Sequence, residues 1–198
     1  MSNKKIIQVI AEQAWIDRAA DPLQNAIRGV LDRAPRLASF LHGDWLDHPL
    51  HAALVSIPVG AFATGLVLDG LELAGRRNYR RAADTVTAIG LGGAVVAVLP
   101  GLADWSRTEG AAKRVGFVHA SLNVAIAGLY GASLVARRAR HRKTGIALSI
   151  AGFSLAGFSA WLGGELAFRF AVGVRPRPEG RPTAPPERAT SRRAESRL

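Results

Sequence analysis

Hydrophobic and polar positions alternate in long blocks along this chain, and four of the blocks are apolar. They lie near residues 52–71, 85–103, 115–136 and 145–168 and are separated by short, charged connections. An α-helix rises about 1.5 Å per residue, so each block is long enough to cross the roughly 30 Å hydrocarbon core of a bilayer. Short connections make successive helices antiparallel neighbours. The pattern therefore predicts an all-α integral membrane protein built on a four-helix transmembrane bundle.

The segment before the first span shows amphipathic helical periodicity instead. Apolar residues recur at helical spacing at Leu23, Ala26, Ile27, Val30 and Leu31. Ile6, Ile10 and Trp15 indicate an earlier helix that ends before Pro22. We expect two amphipathic helices on the membrane surface. Packing against a partner protein is an equal alternative, because an apolar stripe does not identify what covers it.

Composition divides the chain into three parts. Residues 1–47 hold the amphipathic surface helices and a linker, and residues 48–174 hold the four-helix transmembrane domain. Residues 175–198 contain five prolines and seven arginines without an apolar run. This composition is typical of disorder, so we expect a disordered basic C-terminal tail.

Charge and cysteine content narrow the classes of function. The formal net charge is +11 and there are no cysteines. A chain without cysteine forms no disulfide scaffold and holds no iron–sulfur cluster through its own thiolates. The charge would suit a nucleic-acid binder, but the basic residues flank the apolar spans as the positive-inside rule requires, so we expect no nucleic-acid partner. The sequence contains no P-loop and no HExxH motif of a hydrolytic enzyme.

Several ionisable residues at the ends of the spans share one leaflet of the predicted bilayer. Antiparallel helices alternate direction, so the starts of the first and third spans lie level with the ends of the second and fourth. That leaflet receives His48, His51, Asp104, His119 and Glu165. An ionisable group below the headgroups costs about 2 to 3 kcal/mol on insertion scales and is usually retained for a function. We therefore predict one polar pocket, with Trp105 and Asn123 at its edge.

The chemistry of this pocket leaves several ligands open. Three histidines with two carboxylates suit a metal ion, a histidine pair on facing helices can ligate haem, and the same groups can form a proton or quinone site. Asn123 lies one turn after His119 and is expected to orient its ring, while Asp104 is expected to accept a proton from an imidazole. In the alternative interpretation these groups only fix packing: Glu165 pairs with Arg169, His48 and His51 anchor the first span, and His119 is a buried hydrogen-bonded residue.

Two further features concern contacts between helices. Asp69 lies near the end of the first span, close to Arg76 and Arg77, and is expected to be an interfacial or paired acid. Small residues recur at every fourth position of the last span, at Gly152, Ala156, Ala160 and Gly164. Such a stripe lets another helix backbone approach closely, either from this chain or from a second copy in a homo-oligomer.

Motifs across most of the chain resemble one known family. They are HGDWLDHPLHAAL at 42–54, GLADWS at 101–106, GFVHASLN at 116–123 and WLGGEL at 161–166. In this order they resemble the bacterial membrane family called domain of unknown function 2231, over about residues 10–174. Some relatives carry a Rieske iron–sulfur domain after the membrane part, which implies a redox setting and a Rieske-type or cytochrome partner. Glu165 stands where the family motif is expected to carry histidine, which weakens haem ligation at that position.

The sequence thus favours a redox-associated membrane subunit that binds a metal, haem or quinone at the histidine and carboxylate cluster. The alternative is a non-catalytic membrane anchor or scaffold. We expect the inner membrane of a bacterium, with both termini on one side. The first and third loops carry nine Lys and Arg residues against three in the middle loop, which favours termini outside; the basic residues near the termini argue for the reverse.

Overall fold

The computed structural model describes residues 3–76 and 78–174, and within this part of the chain it contains helices and no strand. The helices are α1 (Asn3–Ala11), α2 (Ile16–Arg33), α3 (Pro35–His42), α4 (Leu50–Leu73), α5 (Arg80–Ser106), α6 (Gly110–Arg138) and α7 (Arg142–Phe168), with a 3-10 turn at Asp44–Leu46. Helices α4 to α7 are long and apolar enough to span a membrane. The predicted all-α fold with four membrane spans is confirmed. The expected disordered tail, 175–198, lies outside the described residues.

The four long helices form two hairpins that pack side by side. Helix α4 lies mainly along α5, and α6 lies mainly along α7; α5 against α6 and α4 against α7 close the bundle. Large apolar side chains face outwards on every long helix, and Val67, Val95, Val124 and Ile150 are each more than half exposed. Such a surface suits lipid and would be a liability in water.

The N-terminal region differs from the sequence prediction in two respects. It contains three helices rather than two, and α2 runs through Pro22 instead of beginning after it. Pro22 and Arg18, whose carbonyl loses its i+4 partner, are both exposed, so the proline removes a hydrogen bond where water can replace it.

The apolar stripes of these helices pack on the bundle itself, which neither sequence-based alternative includes. Ile7 joins a buried cluster with residues of α6 and α7, Ile16 and Ala20 pack on Trp105, and Leu31 and Ala38 pack on Ala103. The helices therefore cap one end of the bundle. Their apolar side chains are covered by residues of α5, α6 and α7, which are distant in sequence.

Charged contacts reinforce this cap. Asp17 accepts a hydrogen bond from Arg114 at 2.7 Å, and Lys113 donates to Asp21 at 2.6 Å. The hydrogen bond from Arg114 lowers the pKa of Asp17 to about 2. Gln24 is fully buried, and its amide donates to the carbonyl of Trp105 at 2.8 Å. These bonds tie α2 to the turn between α5 and α6.

A buried ion-pair network closes the opposite end of the bundle. Asp69 accepts from Arg137 Nη1 at 2.8 Å and from Arg142 Nη2 at 3.0 Å. Glu72 and Asp84 extend the network to the same two arginines. The expectation of a paired acid thus holds, but the partners come from α6 and α7 and not from Arg76, while Arg77 lies outside the described residues. Side chains from separate hairpins neutralise each other here, because an unpaired charge at this depth is costly.

The stripe of small residues on α7 does not face a single neighbour. A Cβ added at Gly152 would lie 3.0 Å from the ring of Tyr130 in α6. Ala156 is partly buried, Ala160 is exposed, and Gly164 has open space where a Cβ would be. Close approach within this chain therefore involves Gly152, and contact of the others with a second copy stays a prediction.

Candidate functional site

His51, in the first turn of α4, is held against α5. Its Nδ1 lies 2.8 Å from the carbonyl oxygen of Ala97. One turn further along α5, an added Cβ at Gly101 would lie only 2.8 Å from the same nitrogen. A side chain at position 101 would therefore displace the ring, and glycine is what lets the imidazole lie on the helix backbone.

His119, near the start of α6, is held against α7 in the same way. Its Nδ1 lies 2.9 Å from the carbonyl oxygen of Ser159 and 3.0 Å from the Ser159 hydroxyl. One turn further along α7, an added Cβ at Gly163 would lie 3.2 Å from the His119 ring. Both histidines thus sit over a glycine on the second helix of their own hairpin.

The two imidazoles face each other inside the bundle. Their ring centroids are 6.4 Å apart and the ring planes are perpendicular, at 89°. A carbonyl oxygen only accepts hydrogen bonds, so each Nδ1 carries a proton, and in a neutral ring the lone pair is then on Nε2. Asn123 donates to Nε2 of His119 at 3.1 Å and to the His119 carbonyl at 3.0 Å. Asn123 therefore contacts the ring that it is predicted to orient.

Asp104 lies beside this pair but bonds to a different histidine. Its carboxylate is 2.7 Å from Nδ1 of His42, at the end of α3, and both side chains are largely buried. It is also near enough to His51 for electrostatic interaction. The other nitrogen of His42, Nε2, is buried and has no hydrogen-bond partner among the described residues.

His42 is a site residue that the sequence does not predict, although it opens the HGDWLDHPLHAAL motif. Its position depends on a sharp reversal after α3. Gly43 adopts φ of +76°, and an added Cβ there would lie 2.1 Å from the carbonyl oxygen of His48. The left-handed conformation and the close approach both require glycine. A helix ending in His-Gly was the signal that could have placed this imidazole over α5.

The remaining predicted site residues point elsewhere. His48 is exposed, and its Nδ1 lies 3.1 Å from the carbonyl oxygen of Leu46. Glu165 is a quarter exposed and forms a loose pair with Arg169 at 3.7 Å. Within residues 3–76 and 78–174, no three His, Cys, Asp or Glu side chains lie together as a metal ion would need. The structure brings together His51 and His119, with Asp104 beside them.

Trp105 braces the capped end rather than lining the histidine pair. Its side chain is buried, and the indole Nε1 donates to the carbonyl of Lys113 at 2.9 Å. An added Cβ at Gly116 would lie 2.3 Å from the indole ring. Trp105 thus fixes the turn between α5 and α6. Asp104 lies before this turn, in α5, and His119 lies after it, in α6.

Comparison with known proteins gives one finding. A family model described as predicted membrane protein (DUF2231) matches residues 47–176. The match spans all four long helices and includes His51, Asp104 and His119. No curated protein and no solved structure matches the chain.

Proposed function

The chain belongs to the DUF2231 family of predicted membrane proteins, and from this premise we propose that it is a redox-associated membrane subunit that holds an electron-transfer cofactor between His51 and His119. The multi-pass character follows from the four long apolar helices. The observation that carries the proposal is the state of the two rings. Each Nδ1 donates to a backbone carbonyl, which leaves Nε2 as the ring atom that can bind a ligand; Nε2 of His119 accepts a hydrogen bond from Asn123 in the structure.

This arrangement resembles the support that proteins give to ligating histidines. A histidine that binds a metal usually donates its other ring N–H to a carbonyl or carboxylate, which fixes the ring and the tautomer. Two such histidines within 6.4 Å of each other, at the depth of a membrane span, are expensive as mere packing residues. The metal ion, haem or quinone predicted from the sequence would occupy this pair.

The setting of the proposed function is the inner membrane of a bacterium. The redox role and an electron-transfer partner of the Rieske or cytochrome type rest on the family resemblance. Residues 48–174 would act as the membrane domain and residues 1–47 as its cap, with the histidine pair and both termini on the outer side. An outward site would let a periplasmic partner exchange electrons with the cofactor through the capped end.

One observation favours the alternative, a membrane anchor or scaffold whose polar cluster only fixes helix packing. Both ring nitrogens of His119 are hydrogen-bonded in the structure, to Ser159 and to Asn123. A fully satisfied imidazole is what a purely structural histidine requires.

Cofactor content separates the two functions. The full chain would be purified in detergent, and its absorption spectrum, metal content and extractable quinone would be measured for the native protein and for His51→Ala, His119→Ala and the matched control His48→Ala. We expect a stoichiometric cofactor in the native protein and the control, and its loss from the other two variants. A folded protein whose spectrum, metal and quinone content are unaffected by either of these two substitutions would refute the proposal and favour the scaffold.

A further inference from the structure

The two hairpins repeat each other position by position. On their first helices, the pairs His51 and His119, Phe62 and Tyr130, and Asp69 and Arg137 are each separated by 68 residues. The sequence carries a short echo of the same offset, because His-Ala-Ala-Leu at 51–54 corresponds to His-Ala-Ser-Leu at 119–122. These positions lie on one face of α4 and one face of α6.

The second helices repeat the contacts made to the first. Ala97 and Ser159, and likewise Gly101 and Gly163, are separated by 62 residues, and each pair meets its histidine through a carbonyl and a glycine. Gly90 and Gly152 have the same offset. A Cβ added at Gly90 would lie 2.6 Å from the Phe62 ring, and a Cβ added at Gly152 would lie 3.0 Å from the Tyr130 ring. Three independent contacts therefore recur at matching register.

Equivalent residues of the two hairpins also touch each other. The histidine rings lie 6.4 Å apart, and the Phe62 and Tyr130 rings stack with centroids 3.5 Å apart and planes within 4°. At the far end, Arg137 donates to Asp69. Residues that contact their own equivalents lie on a two-fold axis. Since α4 and α6 run in the same direction, this axis follows the membrane normal, as in parallel transporter repeats.

From this symmetry we infer that the membrane domain is a duplicated helical hairpin. Its two histidines on the two-fold axis, His51 and His119, form a bis-imidazole site for haem. The inference rests on the proposed function and specifies its cofactor. Equivalent hairpins present equivalent imidazoles, so a ligand that accepts a lone pair from each of two sides suits this pair. Haem iron does so through its two axial positions.

The hydrogen bonds of the rings and the number of protein ligands favour haem over the competing ligands. A quinone carbonyl needs a hydrogen-bond donor, and Nε2 of a neutral ring whose Nδ1 carries the proton is only an acceptor. A bare metal ion needs further protein ligands, and the described residues offer no group of three; a porphyrin supplies four nitrogens of its own. Two imidazoles opposite each other on one metal at about 2 Å per bond have centroids roughly 6 Å apart, which agrees with the 6.4 Å observed. Haem binding would displace the bond from Asn123 to His119.

Titration of the full chain with haemin tests the inference. His51→Gly and His119→Gly would be compared with the matched control His48→Gly, following the Soret band and the sharp visible bands of six-coordinate low-spin haem. We expect His51→Gly and His119→Gly each to bind haemin at least tenfold more weakly than the native protein and to lose the low-spin bands. Added imidazole should restore those bands in both, which shows that each variant still folds. Asn123→Ala should bind up to about fivefold more tightly, because it removes a competing hydrogen bond.

Each of the remaining outcomes would overturn a specific part of the inference. A quinone or a non-haem metal that depends on both histidines would overturn the haem assignment and leave the proposed redox function standing. Loss of the low-spin bands in only one variant would overturn the symmetric site. A native protein that binds no haemin, and whose two axial variants retain every other cofactor unchanged, would overturn both the haem site and the proposed function.

Discussion

Replacement of Gly90 by alanine tests how tightly the centre of the bundle is packed. An added Cβ would lie 2.6 and 2.7 Å from two carbons of the Phe62 ring and 3.1 Å from Cβ of Ala61. The Phe62 ring has little room to move, because the Tyr130 ring stacks on it at 3.5 Å between centroids. Relief of the clash therefore requires α5 to shift away from α4. Gly92 offers a matched control in the same helix, since nothing lies within 4 Å of a Cβ added there.

The expected magnitude follows from two opposing effects. An added methyl group in a close-packed core costs about 1 to 3 kcal/mol. Alanine in place of glycine in a helix returns at most about 1 kcal/mol. Both variants share the second effect, so the difference between Gly90→Ala and Gly92→Ala isolates the first. We expect Gly90→Ala to be the less stable of the two by about 1 to 3 kcal/mol.

Unfolding in mixed micelles gives the measurement. Purified protein would be titrated with SDS, and unfolding would be followed by the fluorescence of the tryptophans, of which Trp105 is buried at the capped end. The midpoint should fall for Gly90→Ala and stay or rise for Gly92→Ala. Equal midpoints for the two variants would show that the ring stack tolerates the extra carbon, and the account of a close-packed axis between the hairpins would be wrong.

Three further changes probe other parts of the molecule. Asp69→Asn should destabilise the fold by about 3 kcal/mol in the same SDS titration, because it leaves a buried guanidinium with weaker partners, whereas Glu165→Gln, which loses one loose ion pair, should change it by less than about 1 kcal/mol. Asp17 has a pKa of about 2 because of Arg114; a lowered pKa stabilises the folded state at neutral pH, and this stabilisation should fade between about pH 4 and pH 2. Thermal midpoints across that range should fall more steeply for the native protein than for Asp17→Asn, and parallel curves would contradict the assignment. Gly101→Ala should weaken haemin binding without unfolding the chain, and unchanged binding would show that the adjacent ring does not need this glycine.

The membrane helices are the part of the fold that sequence predicts best. A bilayer imposes length and apolarity on every span, so the blocks at 52–71 and 85–103 identify their helices directly. The observed helices, Leu50–Leu73 and Arg80–Ser106, extend beyond these blocks. Charged residues do not end a helix, so helical hydrogen bonding continues past the apolar block and includes Arg80 and Arg81. Apolarity therefore locates a span but does not mark where its helix ends.

The N-terminal helices show the limit of a periodic stripe. Leu31 follows the predicted apolar face and is buried, as expected for that face, but it packs on Ala103. That contact depends on the tertiary arrangement of α5, which no local pattern contains. The same surface would be covered by lipid or by another protein in a different arrangement.

The sequence predicts the level in the membrane at which the candidate site residues lie, but it does not predict the direction in which each side chain points. Alternating helix directions place five ionisable groups at one level, yet the level says nothing about which way each helix is rotated. His51 and His119 face each other across the bundle, while Glu165 pairs with Arg169 on the surface of α7. Asp104 pairs with the imidazole of His42, which lies on a short helix that the sequence does not predict.

Symmetry explains why the repeat between the hairpins is so faint in the sequence. Two equivalent residues on a two-fold axis face each other, so identical side chains are tolerated only where they do not repel. Two neutral imidazoles or two aromatic rings satisfy this condition, and His51 with His119 and Phe62 with Tyr130 stay alike. Two buried carboxylates or two buried guanidiniums would repel each other strongly. Charged residues at the third position of this series are therefore tolerated when they have opposite signs, as Asp69 and Arg137 do, and this difference between the hairpins obscures their common pattern.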